Sequence, residues 1–253
     1  MVQKMTAGII PARYASVRFP GKPLVVIRGK SMVMRVYDRA CEANSLNEVV
    51  VATDDSRIYD HVMEHGGKAI LTRSDHHTGT ERCAEVASAK GYEKFSHFIN
   101  IQGDEPFIDP GQIDLLASCF EEEGVSIATL VKPFDSAESL FNENSVKVTV
   151  QNSGNALYFS RSVIPFCRSV PVEQWLSKGL FKQHVGIYGY TRRTLLEIAA
   201  LSTGMLEKAE SLEQLRWLEA GIPIRVKYTD HESFAVDTPD DLENLLRWLD
   251  DIH

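Results

Sequence analysis

A cation-rich segment near the N-terminus carries the residues best suited to hold phosphate. Residues 10–24 read IPARYASVRFPGKPL and place Arg13, Arg18 and Lys22 within ten positions, directly after a predicted buried strand. Flexible cations and backbone N–H groups at the carboxyl edge of a sheet suit a nucleoside triphosphate. The segment is not a P-loop, because Lys22 precedes Pro23, and it lacks the G-x-G-x-x-G of dinucleotide sites. The alternative interpretation is a solvated basic loop.

Two carboxylates in distant segments are candidate magnesium ligands. Asp104 closes a predicted strand within NIQGDEP, where Gln102 can hydrogen-bond a substrate hydroxyl and Gly103 lets a ligand approach the backbone. Asp237 lies in FAVDTP before the last predicted helix. Alternatively, Gly103-Asp104 is a plain tight turn and Asp237 favours a helix dipole. Together they predict a Mg²⁺ site, because one or two carboxylates suffice when phosphates supply further oxygens.

The elements that must position these residues follow a βαβ pattern. Short apolar runs alternate with helical periodicity, which predicts an α/β fold with a mostly parallel sheet flanked by helices. The predicted strands cover residues 7–10, 48–54, 68–72, 97–105 and 125–131. The predicted helices cover residues 32–43, 56–64, 80–90 and 110–122. Ligands of such sheets bind at the carboxyl ends of the strands, and the phosphate and carboxylate candidates follow two of those ends.

The second half of the chain has a different pattern. Predicted strands at 146–151, 156–160 and 184–190 have no helices between them, which indicates an antiparallel insertion over roughly residues 133–195. Helices are predicted at 192–201, 208–220 and 238–252, with a strand at 222–228 and Thr238 as the last N-cap. We treat residues 1–253 as one domain containing this insertion.

Several polar residues outside these motifs are candidates for contacts to an acidic sugar. Gly79, between Thr78 and Thr80, suits a helix N-terminus that presents N–H donors. Arg161, His184, Glu213 and Gln214 can supply charge and hydrogen bonds, although an ordinary structural role is equally open for each. Glu213 attracts attention because it adjoins an apolar stripe predicted to be the buried face of one helix. That stripe comprises Leu206, Leu212, Leu215 and Leu218.

Composition excludes several classes of protein. The formal net charge of −8 argues against a nucleic-acid partner. Four widely spaced cysteines without a C-x-x-C pair argue against structural zinc and predict buried free thiols. The N-terminus lacks a signal-peptide pattern, and no run approaches the roughly 18 apolar residues of a membrane span. We therefore expect a cytoplasmic protein with no membrane partner.

Taken together, the motifs resemble the 3-deoxy-manno-octulosonate (Kdo) cytidylyltransferases, or CMP-Kdo synthetases, over nearly the whole chain. The matching stretches are IPARYASVRFPGKPL, VATDD, LTRSDHHTGTER, NIQGDEP, ALYFSRSVIP, HVGIYGY, ESLEQLRWLE and VDTPDDL. The resemblance implies a Rossmann-like nucleotidyltransferase sheet, a dimerisation subdomain and a homodimer. It also implies transfer of CMP from CTP to Kdo, with Mg²⁺, for lipopolysaccharide biosynthesis.

The resemblance also assigns roles to individual residues. Arg13, Lys22 and Asp104 are the implied catalytic residues, and Asp104 and Asp237 the implied metal ligands. The implied nucleotide contacts are Pro11, Ala12, Arg13, Lys22, Gln102 and Arg73, the last near the cytosine. The implied sugar contacts are Gly79, Gln102, Arg161, His184, Tyr188, Glu213 and Gln214.

Two departures from the family pattern leave the sugar specificity open. Thr78 stands where Ser is usual, and Ala235 stands where Gly is usual. The alternative functions are a cytidylyltransferase for 8-amino-Kdo or sialic acid, and a non-catalytic CTP-binding regulator. No residue is required to act as a general base, so activation of the anomeric hydroxyl by the metal is the preferred mechanism.

Overall fold

A large mixed sheet with helices on both faces forms the centre of the molecule in the computed structural model, which describes residues 4–15, 18–231 and 234–251. The strands are β1 Thr6–Ala12, β2 Val26–Ile27, β3 Lys30–Ser31, β4 Glu48–Thr53, β5 Ala69–Leu71, β6 His97–Asn100, β7 Ile127–Pro133, β8 Lys147–Val150, β9 Ala156–Ser160, β10 Lys182–Thr191 and β11 Arg225–Tyr228. The helices are α1 Met32–Cys41, α2 Ser56–Glu64, α3 Gly79–Ser88, α4 Pro110–Ala117, α5 Ala137–Phe141, α6 Arg192–Ala199, α7 Met205–Glu210, α8 Gln214–Glu219 and α9 Pro239–Asp251.

The main sheet has the strand order β11-β7-β10-β6-β1-β4-β5, and β2 and β3 form a separate hairpin. The strands β6, β1, β4 and β5 run parallel, and Ile10 of β1 lies beside Val51 of β4. The side chains of β6, β1 and β4 are mostly buried on both faces, because α3, α6 and α8 pack on one side and α1, α2 and α4 on the other, whereas the edge strand β5 is partly exposed. The predicted α/β class with a mostly parallel sheet is confirmed.

The strand β10 corrects the prediction for the second half of the chain. We expected residues 184–190 to belong to an antiparallel insertion, but β10 lies antiparallel between β6 and β7 in the main sheet. The pair β8 and β9 forms a hairpin whose β8 contacts β10 at Lys147. Local periodicity identified each strand but carried no information about its neighbours, since strand pairing depends on the whole sheet.

The helical region before β11 also differs from its prediction. A single helix over 208–220 was expected, but α7 ends at Glu210, the next residue Ser211 has a left-handed φ of 53°, and α8 begins at Gln214. The predicted apolar stripe is therefore wrong at its first member. Leu206 is 38% exposed, whereas Leu212 and Leu215 are buried.

A satellite cluster attaches the last helix to the body of the protein. Leu245 and Leu249 of α9 pack with Val236, Ile27 and Met32. The helix α9 begins with a reciprocal cap: Asp241 N–H donates to Thr238 Oγ1 at 3.2 Å, and Thr238 N–H donates to Asp241 Oδ2 at 2.8 Å. Thr238 is thus the N-cap of α9, as predicted.

The free cysteines match their prediction only in part. Cys83 and Cys119 are buried free thiols as expected, but Cys41 is exposed, because it ends α1 on the solvent side. Among the described residues, no helix is long and apolar enough to span a bilayer.

Candidate functional site

The carboxyl ends of β1 and β6 enclose a cavity of about 250 Å³. Because β1 and β6 are adjacent and parallel, residues 11–13 and 102–104 meet at the same edge of the sheet. Gly103 is required there, since a Cβ would lie 2.9 Å from the Pro11 carbonyl oxygen. The cavity is lined by Pro11, Ala12, Arg13, Ala15, Lys22, Pro23, Gln102, Gly103 and Asp104. We call this region, together with Asp237, the phosphate edge.

Lys22 joins the two candidate metal ligands. Its Nζ lies 2.8 Å from Asp104 Oδ2 and 3.1 Å from Asp237 Oδ1. Arg18 contributes a second cation, with its guanidinium 3.2 Å from Asp237. Two positive and two negative side chains therefore meet at the phosphate edge, where the prediction brought Lys22, Asp104 and Asp237 together.

Asp237 reaches this position because the segment before α9 is hydrogen-bonded to the loop that follows β6. Val236 N–H donates to the Asp104 carbonyl at 2.9 Å, and the Asp237 N–H donates to the Asp241 carboxylate at 3.0 Å. Phe19, from the cation-rich segment, packs against the same cluster that holds α9. The segment with the cations and the segment with Asp237 thus pack against the same hydrophobic cluster.

The donor set at the phosphate edge fits a divalent cation that completes its shell with phosphate or water. Among the described residues, no group of three or more His, Cys, Asp and Glu is placed to hold a metal ion. Asp104 and Asp237 both lie within ion-pair distance of one ammonium, so their oxygens converge on a single cation position. Two carboxylates suit Mg²⁺ bound beside a nucleotide, whereas a structural zinc site needs more protein ligands.

Arg13 and Arg73 occupy different positions. Arg13 lines the cavity and donates to the His76 carbonyl. Arg73 is exposed and pairs with Asp75 at 3.1 Å. It lines a separate groove of about 470 Å³ between α3 and α6, so the structure does not bring it into the phosphate-edge cavity. Ser16, in the same motif as Arg13, lies outside the described residues.

The start of α3 extends the site away from the phosphate edge. Thr78 caps this helix, accepting from Glu81 N–H at 3.2 Å, so the Thr found in place of Ser keeps the hydroxyl's role. A Cβ on Gly79 would lie 3.3 Å from Asn100 Nδ2 and 3.5 Å from Pro11. The first turn of α3 therefore borders the ends of β1 and β6.

Glu213 faces this turn from α8. Its Oε2 accepts from Thr80 Oγ1 at 2.8 Å, and its Oε1 lies 3.1 Å from the Arg216 guanidinium. The side chain is 24% exposed, and burial raises the pKa of its carboxyl group. Gln214, the next residue, is buried. We call Gly79, Thr80, His184, Tyr188, Glu213 and Gln214 the sugar edge.

The strand β10 supplies the aromatic wall of the sugar edge. His184 Nε2 lies 2.9 Å from Thr129 Oγ1, and burial lowers the pKa of the imidazole to about 3, so the ring is neutral at physiological pH. Tyr188 packs between His184 and Trp217, with ring centroids 5.2 and 5.1 Å away.

Gln102 connects the two edges. Its Nε2 donates to the Gly186 carbonyl at 2.6 Å, within the irregular stretch of β10 between Val185 and Tyr188. Gln102 therefore lines the phosphate-edge cavity and also reaches the strand that carries Tyr188. Arg161, predicted to contact the sugar, instead bonds the backbone around the α7–α8 turn.

Arg57 contacts Tyr14, which follows the phosphate-edge residue Arg13, and the sequence did not reveal this contact. Its guanidinium lies 3.3 Å from the ring centroid of Tyr14 and pairs with Asp55 at 2.9 and 2.6 Å. Tyr14 in turn accepts from Gly21 N–H at 2.9 Å through its carbonyl. Arg57 and Tyr14 are 43 positions apart in the sequence. Only the adjacency of β1 and β4 brings them together, so no local signal marked the contact.

The sequence is similar to a family of known enzymes over most of its length. A family model described as cytidylyltransferase matches residues 7–227. A 3-deoxy-manno-octulosonate cytidylyltransferase of Parabacteroides distasonis is 48% identical over 246 residues, covering 96% of this chain and 97% of that protein. One of the same name from Bacteroides thetaiotaomicron is 49% identical over 245 residues, with 96% and 97% covered.

Solved structures agree with these relatives. The structure of CMP:2-keto-3-deoxy-manno-octonic acid synthetase complexed with CTP superposes with a TM-score of 0.89 at 41% identity, covering 99% of this chain and 100% of the other. The 4-diphosphocytidyl-2C-methyl-D-erythritol synthase of Anaerococcus prevotii shares the fold, with a TM-score of 0.63 at 11% identity, covering 98% of this chain and 96% of the other.

Proposed function

Because the chain belongs to the cytidylyltransferase family, and within it to the 3-deoxy-manno-octulosonate cytidylyltransferases, we propose that it transfers CMP from CTP to Kdo. The products are CMP-Kdo and diphosphate, and the reaction activates Kdo for lipopolysaccharide biosynthesis. The observation that carries the proposal is the meeting of Lys22 with Asp104 and Asp237 at the ends of β1 and β6. A flexible ammonium such as that of Lys22 suits a triphosphate, and two carboxylates suit a divalent cation bound beside it.

The chain's own groups at the phosphate edge orient the triphosphate and neutralise its leaving group. Lys22 and Arg13 line the cavity and stabilise negative charge on the departing diphosphate. Asp104 and Asp237 are the carboxylates that would hold Mg²⁺, which supplies polarisation of the α-phosphate and a lowered pKa for the attacking hydroxyl. Positioning and charge stabilisation dominate such transfers.

The sugar edge orients the attacking hydroxyl. The anomeric oxygen of Kdo forms a bond to the α-phosphorus, the bond from that phosphorus to the diphosphate oxygen breaks, and the hydroxyl proton is released. Glu213, Thr80 and Gln214 offer hydrogen bonds from α3 and α8, and the neutral His184 and Tyr188 close the β10 side. Fixed partners of this kind hold the sugar at the α-phosphate with little reorganisation.

Diphosphate release is the direct test of this function. The enzyme is mixed with CTP, Mg²⁺ and Kdo, and diphosphate is followed by a coupled assay with CMP-Kdo identified by mass. Turnover with Kdo at least tenfold above 8-amino-Kdo and sialic acid supports the proposal. Preference for either of the other sugars overturns the substrate assignment. Tight CTP binding without turnover on any sugar overturns the activity and favours a regulator.

We propose a homodimer formed through the region around α5. Phe141, Phe166, Val172 and Leu180 are all about half exposed or more, and Phe141 and Phe166 pack their rings against Trp175. Exposed apolar groups gathered around one aromatic side chain are typical of a protein interface.

Sedimentation equilibrium tests the dimer. Phe166→Ser should raise the monomer fraction, whereas Phe234→Ser, outside this region, should not. A wild-type protein that sediments as a monomer at micromolar concentration contradicts the proposal.

We also propose that the enzyme works in the cytoplasm, where CTP is supplied and where unpaired cysteines such as the exposed Cys41 persist.

A further inference from the structure

The two candidate metal carboxylates lie in distant segments of the sequence that meet at one aromatic side chain. Asp104 follows β6, and Asp237 precedes α9. Phe107 comes three residues after Asp104, and Phe234 comes three residues before Asp237. Both phenylalanine rings contact Trp248 of α9, with ring centroids 6.4 and 4.7 Å from that of the indole. One indole therefore joins the two segments that carry the carboxylates.

Phe107 gives the indole a contact that is fixed to the body of the protein. The Arg35 guanidinium of α1 lies 5.4 Å from the Phe107 ring centroid, close enough for a cation–π interaction. Arg35 is itself held, since its Nε donates to the Ile27 carbonyl at 2.7 Å. Phe107 also packs against the buried cluster that contains Leu245 of α9. The ring of Phe107 is therefore the fixed side of the aromatic contact.

The segment that carries Asp237 depends more strongly on the indole. This stretch of chain before α9 forms neither helix nor strand, and Phe234 at its start is 36% exposed. Val236 is buried, and its N–H donates to the Asp104 carbonyl at 2.9 Å. The contact between Phe234 and Trp248 therefore fixes the chain on the N-terminal side of Asp237, where regular secondary structure does not.

Trp248 differs from the residues that dock α9 onto the protein. Leu245 and Leu249 belong to the buried cluster and are 2% and 8% exposed, whereas Trp248 is 38% exposed. Long side chains in a helix lean toward its N-terminus, which in α9 is the end beside Asp237. The indole therefore supports the segment before α9 more than the docking of the helix.

We propose that Trp248 is a positioning residue for the magnesium site, because its indole holds Phe107 and Phe234 and thereby fixes the spacing of Asp104 and Asp237. The inference rests on the proposed function for the presence of Mg²⁺ at the phosphate edge. Mg²⁺ requires near-octahedral geometry, so it tolerates little error in the position of its ligands. Loss of the indole leaves both carboxylates ready for the metal in only a fraction of the molecules. The apparent Mg²⁺ affinity falls by that fraction, and excess Mg²⁺ restores the arrangement.

Trp248→Leu measures the contribution of the indole ring. Each aromatic pair is worth roughly two- to tenfold in an equilibrium constant. The Mg²⁺ midpoint, which is the Mg²⁺ concentration that gives half-maximal diphosphate release, should therefore rise about tenfold. The kcat at saturating Mg²⁺ and the KM for Kdo should stay within twofold. An unchanged Mg²⁺ midpoint, whatever the kcat, would show that Trp248 serves only the stability of the fold and overturns the inference.

A conservative variant and a neighbouring position provide the comparison. Trp248→Phe keeps an aromatic ring and should recover at least threefold of the rise in the Mg²⁺ midpoint. A phenylalanine variant as impaired as the leucine variant overturns the inference. Arg247→Ala, at a side chain of α9 that is 71% exposed, is the matched control and should leave the midpoint unchanged. An equal rise in this control would assign the effect to α9 in general and also overturns the inference.

Phe234→Leu keeps the inference testable if the Trp248 variants fail to fold. Phe234 lies outside the buried cluster that docks α9, so its replacement leaves that cluster intact. Losing the ring on the Asp237 side should raise the Mg²⁺ midpoint about threefold or more. An unchanged midpoint in this variant overturns the inference.

Amide hydrogen exchange in the metal-free enzyme supplies a readout that does not depend on activity. The Val236 N–H, which bonds the Asp104 carbonyl, should exchange at least fivefold faster in Trp248→Leu. The Ile101 N–H, which donates to the Ile9 carbonyl at 2.8 Å, reports on the sheet and should keep its protection. Unchanged exchange at Val236, or equal acceleration at both amides, overturns the inference. An enzyme that is inactive on Kdo but shows the local change overturns the proposed function while supporting the role of Trp248.

Discussion

The phosphate edge and the sugar edge are built from different kinds of side chain. At the phosphate edge, charged side chains balance one another: Lys22 contacts Asp104 and Asp237, and Arg18 adds a second cation that is 65% exposed. At the sugar edge, the groups are partly or fully buried, and Glu213 and His184 are already hydrogen-bonded. We therefore expect the phosphate edge to exchange its ionic partners on binding and the sugar edge to present a preset surface.

This difference teaches how one site handles two unlike substrates. A triphosphate with its metal brings large charges, which replace existing ion pairs at modest cost because the exchanged groups are partly solvated. The acidic sugar brings a single carboxylate and an array of hydroxyls, and discrimination among hydroxyls depends on buried groups that lose their hydrogen-bond partners when the wrong ligand binds. Changes at the phosphate edge should therefore affect turnover, and changes at the sugar edge should affect selective affinity.

Asp104→Asn should have the largest effect. Losing one of two candidate metal carboxylates, and a partner of Lys22, should lower kcat by on the order of 10³-fold, since metal stabilisation of developing charge is worth several kcal/mol. The measurement is steady-state diphosphate release at saturating CTP and Kdo over a range of Mg²⁺ concentrations. Near-normal turnover at saturating Mg²⁺ would show that Asp104 is not a metal ligand, and Asp60→Asn, exposed on α2, is the matched control.

Glu213→Gln should act mainly on the sugar. Replacing a buried carboxylate that bonds Thr80 and Arg216 removes about 1.5–3 kcal/mol of charged hydrogen bonding, or roughly 10- to 100-fold in the KM for Kdo. The KM for CTP should stay within twofold. Equal changes in both KM values would contradict the division into two edges, and Glu197→Gln on α6 controls for loss of a carboxylate.

The buried His184 should make stability depend on pH. Its folded pKa of about 3 lies below the unfolded value near 6.5, so the unfolded chain binds more protons between these values. Stability should therefore fall as the pH drops from about 6.5 toward 3, by up to about 1.4 kcal/mol per pH unit from this group. Denaturant titrations at several pH values should show a shallower decline in His184→Gln. A decline as steep as wild type would contradict the assignment, and the exposed His77→Gln should leave it unchanged.

Arg57→Ala should have the smallest effect, because it touches the phosphate edge only through Tyr14. An exposed cation–π contact is worth about 0.5–1 kcal/mol, so the KM for CTP should rise roughly two- to fivefold with kcat unchanged. Arg193→Ala is the matched control. A rise in the KM for Kdo without one for CTP would show that Arg57 does not support the phosphate edge.

The same contrast explains what could be read from the sequence. Most of the phosphate edge was predictable because the segments that carry Lys22 and Asp104 follow two strand ends, and parallel strands buried on both faces are recognised in a sequence as apolar runs. Lys22, Asp104 and Asp237 met as expected. Arg73, predicted to lie near the cytosine, is outside this cavity and pairs with Asp75, so its contact with the base stays a prediction.

The sugar edge was harder to predict because its geometry depends on long-range contacts. No glycine marks the left-handed turn at Ser211, so periodicity alone continued one helix through it and placed Leu206 on the buried side. Arg161 was named as a candidate sugar contact with a structural role equally open, and its three carbonyl partners come from residues 143, 210 and 211. Only the assembled fold determines such partners.

The position of β10 has a consequence for the order in which the chain can fold. The strands β6 and β7 are not neighbours, because β10 lies between them, and β10 is synthesised about 50 residues after β7 ends. Until it arrives, the facing edges of both strands present unpaired N–H and C=O groups, a hazard for aggregation. Truncation before residue 182 should leave the space between β6 and β7 permanently unfilled. We therefore expect that residues 1–181 do not fold as a separate unit.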